Sequence, residues 1–207
     1  MLGITRMSGD KAVAIGRPRS FDVDHALDRA LEVFWRKGYD GATICDLTAA
    51  MGINPPSLYA AFGNKEGLFR KALDRYAETR AGFVRKALAR PKVKDAVAAL
   101  FRGTADFLTE NCNPAGCLLV QCIAGAGEHD QCIRDELCAR RAATEKTIRE
   151  RLKRAKAEGE LPKDADPAVL ARFIATVTQG MTVQAAAGAT RAELRRVAET
   201  ALGAFPE

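Results

Sequence analysis

The chain has 207 residues, 47% hydrophobic and 28% charged, which supplies one ordinary core or two small ones and gives no sign of disorder. Its net charge of +6 is uneven: residues 1–90 carry a net of +5 and residues 91–207 a net of +1, so the N-terminal part is the one suited to approach a polyanion. The first residues lack the apolar run of a signal peptide, and the most apolar window, 115–127, is short and broken by Gln121, so a cytoplasmic protein with no membrane partner is expected.

Apolar residues recur with helical period almost throughout, and no alternating β-branched run lies between turn signals, so the fold class read from the pattern is all-α with about nine helices. Residues 1–20 hold Gly, Pro and Arg but no apolar stripe, and read as a basic flexible arm. Asp22 is placed to cap a first helix with Val23, Ala26, Leu27, Ala30, Leu31 and Phe34 inward, ending at Gly38. Thr43 to Asp46 has the form of a capping box with Asp in the usual Glu place. It opens a short helix that turns Ile44, Leu47, Ala50 and Met51 inward and stops at Gly52.

Asn54 caps the next helix, where Pro55 fits the first position because a missing N–H costs nothing there; Leu58, Ala61 and Phe62 supply its buried stripe before Gly63. A long fourth helix starts at Asn64, turns Leu68, Phe69, Ala72, Leu73 and Tyr76 inward and is expected to run to about Arg90, before Pro91. Further helices are predicted at 93–110, 118–126, 130–158, 166–187 and 191–204. The stretch 166–187 is apolar on nearly every side, with Val169, Leu170, Phe173, Ile174, Val177, Met181 and Val183. Such a helix needs two coverings, and its small residues Ala185 to Gly188 suit a partner helix, so a symmetric dimer is expected.

Two short helices joined by Gly52-Ile53-Asn54 and preceded by a supporting helix make a helix-turn-helix. The run Thr43 to Phe69, with its Leu58-Tyr59-x-x-Phe62-x-x-Lys65-Glu66-x-Leu68 core, resembles the signature of the TetR/AcrR family of bacterial transcriptional regulators, strongly over 21–76 and weakly beyond, where the late Gln179-Gly180 helix agrees. The resemblance implies a ligand-responsive regulator, by the family's habit a repressor, that binds a palindromic double-stranded DNA operator as a homodimer. It divides the chain into the arm at 1–20, a helix-turn-helix domain at 21–66 and a helical effector-binding and dimerisation domain at 67–207. It also implies that the third helix enters the major groove while Thr43, Tyr59 and Lys65 hold phosphates. Elementary electrostatics agrees for Thr43 and Lys65, which sit at helix N-termini that already favour an anion.

The outward face of that third helix and its cap offers Asn54, Pro55, Pro56, Ser57, Tyr59 and Ala60, with no Arg, Lys, Asn or Gln inside the helix for bidentate base contacts. Direct readout is therefore sparse, and DNA shape carries much of the remaining discrimination; Arg17 and Arg19 in the arm are suited to a narrow minor groove.

For the sensing half, the resemblance implies a small-molecule pocket within about 93–181 whose filling tilts the fourth helix. Phe83, Phe107, Cys117, Gln121, Cys122, Phe173 and Met181 are candidates because they mix apolar wall with a few polar handles. Cys112, Cys117, Cys122, Cys132 and Cys138 fall in one span with His129, but no C-x-x-C pair is present, so no metal site and no cofactor is expected. A thiol-based redox or electrophile sensor centred on Cys117, at a helix start, is the alternative reading of the sensing half. With only His25 and His129 as histidines, and no nucleophile elbow, phosphate loop or paired carboxylates, no catalytic residue is assigned and an enzyme is not expected.

Overall fold

Local capping chemistry cuts the N-terminal segment into short helices. The Asp22 carboxylate accepts from the N–H groups of Asp24 (2.9 Å) and His25 (3.2 Å), Thr43 and Asp46 form a reciprocal capping box, and Asn54 Oδ1 accepts from Ser57 N at 2.9 Å. The computed structural model describes residues 21–79, 81–110, 117–119, 122 and 131–206. Among them are nine helices and no strand: α1 Val23–Gly41, α2 Ile44–Met51, α3 Pro55–Phe62, α4 Lys65–Thr79, α5 Gly82–Leu88, α6 Val93–Leu108, α7 Gln131–Ala157, α8 Pro167–Ala186 and α9 Arg191–Gly203. No described helix is long and apolar enough to cross a membrane. The basic arm at 1–20 and most of the helix expected at 118–126 lie outside the described residues; Leu118, Leu119 and Cys122 of that stretch are helical.

Two apolar cores form. The first gathers Leu31 and Phe34 of α1, Leu47 and Met51 of α2, Leu58 and Phe62 of α3, and Leu68, Phe69, Leu73 and Tyr76 of α4. The second gathers Leu100 and Phe101 of α6, Ile148 and Leu152 of α7, Ile174 and Met181 of α8, and Leu194 and Ala198 of α9. Each fully buried Leu or Phe contributes roughly 1.5–3 kcal/mol. Helix α7 serves both, giving Ile133 and Leu137 to the first core and Ile148, Leu152 and Ala155 to the second. A two-pronged ion pair fixes α4 to α1: Arg75 donates to Asp28 from Nε at 2.9 Å and from Nη2 at 2.8 Å.

Three expectations need correction. The helix from Asn64 does not run to Arg90: α4 ends at Thr79 and α5 restarts at Gly82. The Thr79 hydroxyl donates back to Arg75 O at 2.7 Å, Ala81 N closes onto Tyr76 O at 2.9 Å, and Gly82 is a poor helix former, so the chain turns and carries Phe83 onto Phe107, ring centroids 5.4 Å apart. Gly38 does leave helical geometry, at φ 71°, yet the chain resumes a helical turn to Gly41, which lets Tyr39 reach the core. In α2 it is Thr48, not Ala50, that is buried, because its hydroxyl is satisfied by Ile44 O at 2.8 Å while Ala50 faces out.

Gly67 pins the exit from α3. Its N–H donates to Asn64 Oδ1 at 2.7 Å, and a β-carbon there would overlap the Phe62 carbonyl oxygen, a backbone atom that cannot step aside alone. We expect Gly67→Ala to destabilise the fold by ~1–3 kcal/mol in denaturant unfolding, against little change for the same substitution at the exposed Gly203.

Candidate nucleic-acid interface and ligand cavity

Helix α3 is buried only through Leu58 and Phe62, which leaves Pro55, Pro56, Tyr59 and Ala60 on the outside; Tyr59 is 48% exposed. A single exposed aromatic is ordinary, but Tyr59 together with the exposed Pro55, Pro56 and Ala60 makes one contiguous face of α3 that its own core does not use. Asn54 and Thr43 both have their side-chain oxygens committed to capping. Thr43 Oγ1 accepts from Asp46 N at 3.1 Å and donates to Asp46 Oδ2 at 2.8 Å. Both sit at helix N-termini, where the remaining free N–H groups and the dipole present a positive end. Lys65 begins α4 with its Nζ 4.4 Å from the centre of the Tyr39 ring, so a cation is held by a π face beside the α3–α4 turn. The structure thus brings Thr43, Asn54, Pro55, Pro56, Ser57, Tyr59 and Lys65 onto short consecutive elements, α2, α3 and the start of α4. Arg17 and Arg19 lie outside the described residues.

One further group supports this head. The Asp46 carboxylate also meets Lys37 Nζ of α1 at 2.7 Å, and Lys37 first and Thr43 second hold its pKa down from 3.8 to about 2. Its contribution to stability is therefore complete above pH 3.8 and is lost as pH falls towards 2. We expect Asp46→Asn to lower the melting midpoint at neutral pH. The gap from the unsubstituted protein should narrow on acidification below pH 3.8, and a gap that is constant with pH would contradict this role.

The second feature is a cavity of about 160 Å³ between the two cores. Its apolar wall includes Tyr76, Phe83, Leu100, Phe107 and Leu108, and its polar side comes from Arg141, Thr144 and Glu145 of α7 with Thr178, Gln179 and Thr182 of α8. Of the residues selected from the sequence, Phe83, Phe107 and Cys117 line it. Phe173 is half-buried against the second core, Met181 is inside that core, and Cys122 is inside the first core with its Sγ 3.9 Å from Phe34 O; none of the three borders the cavity. Gln121 lies outside the described residues. Sequence reading missed the polar side, Arg141 and Gln179 above all. Their spacing within α7 and α8 is ordinary for surface residues, and only the packing of the two helices brings them together.

Tyr76, which is buried, places its hydroxyl 3.2 Å from Cys117 Sγ, and burial raises the phenol's pKa well above its usual value. Burial likewise pushes the Cys122 thiol up to about 12, so it stays protonated. Cys45, Cys132 and Cys138 are free and exposed, and no cluster of three or more metal-ligating side chains occurs among the described residues.

Comparison with known proteins agrees with this architecture. Residues 26–72 match the family described as "Bacterial regulatory proteins, tetR family", and residues 93–201 match "Tetracyclin repressor-like, C-terminal domain". The chain belongs to the TetR family. Among TetR-family relatives, the HTH-type transcriptional repressor ComR of Escherichia coli (strain K12) is 38% identical over 194 residues, covering 93% of this chain and 92% of ComR. The HTH-type transcriptional repressor BdcR of the same strain is 34% identical over 175 residues, covering 84% of this chain and 83% of BdcR. A solved structure of the TetR family transcriptional regulator CifR, a cysteine-substituted variant complexed with 26 bp double-strand operator DNA, superposes with a TM-score of 0.88 at 45% identity, over 92% of this chain and all of that one. The protein is thus a TetR-family transcriptional regulator whose N-terminal helix-turn-helix is its DNA-binding part.

Proposed function

We propose that the protein is a repressor that binds a palindromic operator as a homodimer and lets go when a small molecule fills the cavity between its cores. It acts without catalysis, metal or cofactor, and in the cytoplasm. Residues 21–66 form the reading head and 67–207 the effector-binding and dimerising part, with 1–20 as an arm whose Arg17 and Arg19 reach the minor groove. The observation that carries the reading is the exposed α3 face, with Tyr59 outside and Lys65 beside it, on a head whose buried face is fully used by its own core. Tyr59, Lys65 and the free N–H groups of the α2 N-terminus capped by Thr43 hold phosphates, while Asn54, Pro55, Pro56 and Ser57 border the major groove and offer few bidentate base contacts.

Dimerisation is supported by α8. One face is buried through Ala171, Ile174 and Ala175, while Val169, Thr176, Gly180 and Val183 follow one another along its outer face, Val169 at 64% and Val183 at 57% exposure. Apart from Arg172, which reaches across to Glu145 of α7, this stripe is small or apolar and suits a second copy of the same helix. The switch is supported by the placement of the cavity. Two recognition helices must lie about 34–36 Å apart to meet successive major grooves, so a slight movement of the wall shared by the two cores misplaces one of them.

In a mobility-shift assay with the operator, Tyr59→Ala should weaken binding about tenfold with an unchanged melting temperature. Lys65→Gln should weaken it equally on all sequences and reduce the salt slope by about one. Full affinity in both variants would remove α3 from the interface. Val183→Arg should shift the protein to monomer in sedimentation analysis and abolish tight operator binding.

A second reading is favoured by one contact, the Cys117 thiol on the cavity wall beside the Tyr76 hydroxyl. In that reading the cavity admits an oxidant or electrophile that modifies Cys117. Mild oxidant should then release DNA from the unsubstituted protein and leave Cys117→Ser bound; equal release from both would reject it.

A further inference from the structure

The polar side of the cavity has an uneven stock of hydrogen-bond donors. Its hydroxyls donate inward to their own helices: Thr178 Oγ1 to Ile174 O at 3.0 Å, Thr182 Oγ1 to Thr178 O at 3.0 Å, Thr144 Oγ1 to Arg140 O at 3.2 Å and Thr104 Oγ1 to Leu100 O at 2.8 Å. Among the described residues, the donors left for a ligand on that side are those of Arg141 and of the Gln179 amide. One Arg141 N–H donates to Gln179 Oε1, which leaves the rest of the five-donor guanidinium fork and the Gln179 NH₂ group.

Charge is uneven in the same sense. Glu145, the carboxylate on this wall, is paired with Arg172 Nε of α8 at 2.9 Å. Arg141 has no ion pair among the described residues; its recorded partner is the neutral Gln179. Among the described residues no carboxylate contacts this half-buried guanidinium, since Glu145, one turn along, is held by Arg172, and a ligand carboxylate can take two parallel N–H bonds from it. The inner part of the space, about 160 Å³, has room for about one ring, since an enclosed apolar cavity of ~150 Å³ takes benzene.

We propose that the effector is a small monoanion, an apolar body of about one ring carrying a carboxylate head, with Arg141 and Gln179 gripping the head and Phe83 and Phe107 flanking the body. The proposal rests on the reading of the cavity as the effector site. Trp35, the chain's single tryptophan, stacks on Phe107 with ring centroids 5.9 Å apart, so its emission reports the filling of the cavity.

The test is a titration of the full-length protein, at constant ionic strength, with benzoate, acetophenone and benzylamine, which share a ring and differ in head group. Benzoate should change the Trp35 emission with at least tenfold tighter affinity than acetophenone, and benzylamine should leave it unchanged. Arg141→Gln should lose at least tenfold in benzoate affinity and keep that for acetophenone. Gln179→Glu, which supplies Arg141 with an internal carboxylate of nearly the same shape, should lose benzoate binding too, and melting curves establish that both variants fold. If acetophenone binds as tightly as benzoate, or benzoate ignores both substitutions, the charged head group is overturned while the cavity reading stands. If none of the three probes alters Trp35, the proposal and the cavity reading fall together.

Discussion

The structure depends on a cluster of four rings where the two cores meet. Trp35 of α1 packs edge-on to Tyr76 of α4 at 5.1 Å and stacks on Phe107 of α6, and Phe107 in turn meets Tyr76 at 6.1 Å and Phe83 of α5 at 5.4 Å. Three of these four rings also line the cavity. The wall that a ligand would touch is therefore part of the packing that orients the DNA-binding head, and close-packed aromatic side chains transmit a displacement better than they absorb it. Gly103 is a condition of this arrangement, because a β-carbon there would stand 2.7 Å from the Phe83 ring.

Helix α7 ties the same two regions together by a second route. Near its start Arg140 bridges Glu136 and Asp74 of α4, each at 2.8 Å, and Arg70 of α4 reaches back to Glu136 at 3.6 Å. Burial works against the Arg140 charge, but the two carboxylates more than offset it and raise its pKa. The next residue, Arg141, is on the cavity wall. A ligand that moves Arg141 therefore acts on a helix already joined to α4 by charge and by Ile133 and Leu137. Its leverage is bounded by its difference in affinity for the two states, typically ~1–3 kcal/mol. That is enough for a 5- to 150-fold change in operator affinity, roughly, without any large rearrangement.

The reading head was legible in the sequence because its signals are local. Asp22, the Thr43–Asp46 box and Asn54 each bind N–H groups two or three residues away, and their positions fix the starts of α1, α2 and α3. The buried stripe of α4 was read for the same reason. Signals that depend on distant partners were lost. Between Lys65 and Leu88 only Gly67 and Gly82 mark a break, and the turn before α5 is held from a distance as well, by Phe83 packing on Phe107. The cavity was half legible: apolar candidates came from periodicity, which does not distinguish a residue beside a space from one inside a core. Phe107 and Met181 look alike in sequence, yet one borders the cavity and the other does not. The polar side needs α7 and α8 to be laid together, and no local pattern encodes that pairing.

If filling the space between the cores disturbs the DNA-reading geometry, a side chain placed there should do so without an effector. Ala175 of α8 lies on the cavity wall, buried at 7% exposure, and Ala175→Phe would place a ring inside. The measurement is the affinity of this variant for the operator recovered from a random duplex pool, with the melting temperature as a check on folding. We expect a folded protein that binds at least tenfold more weakly than the unsubstituted one; a folded variant with undiminished operator affinity would show that the cavity is not coupled to the DNA-binding head.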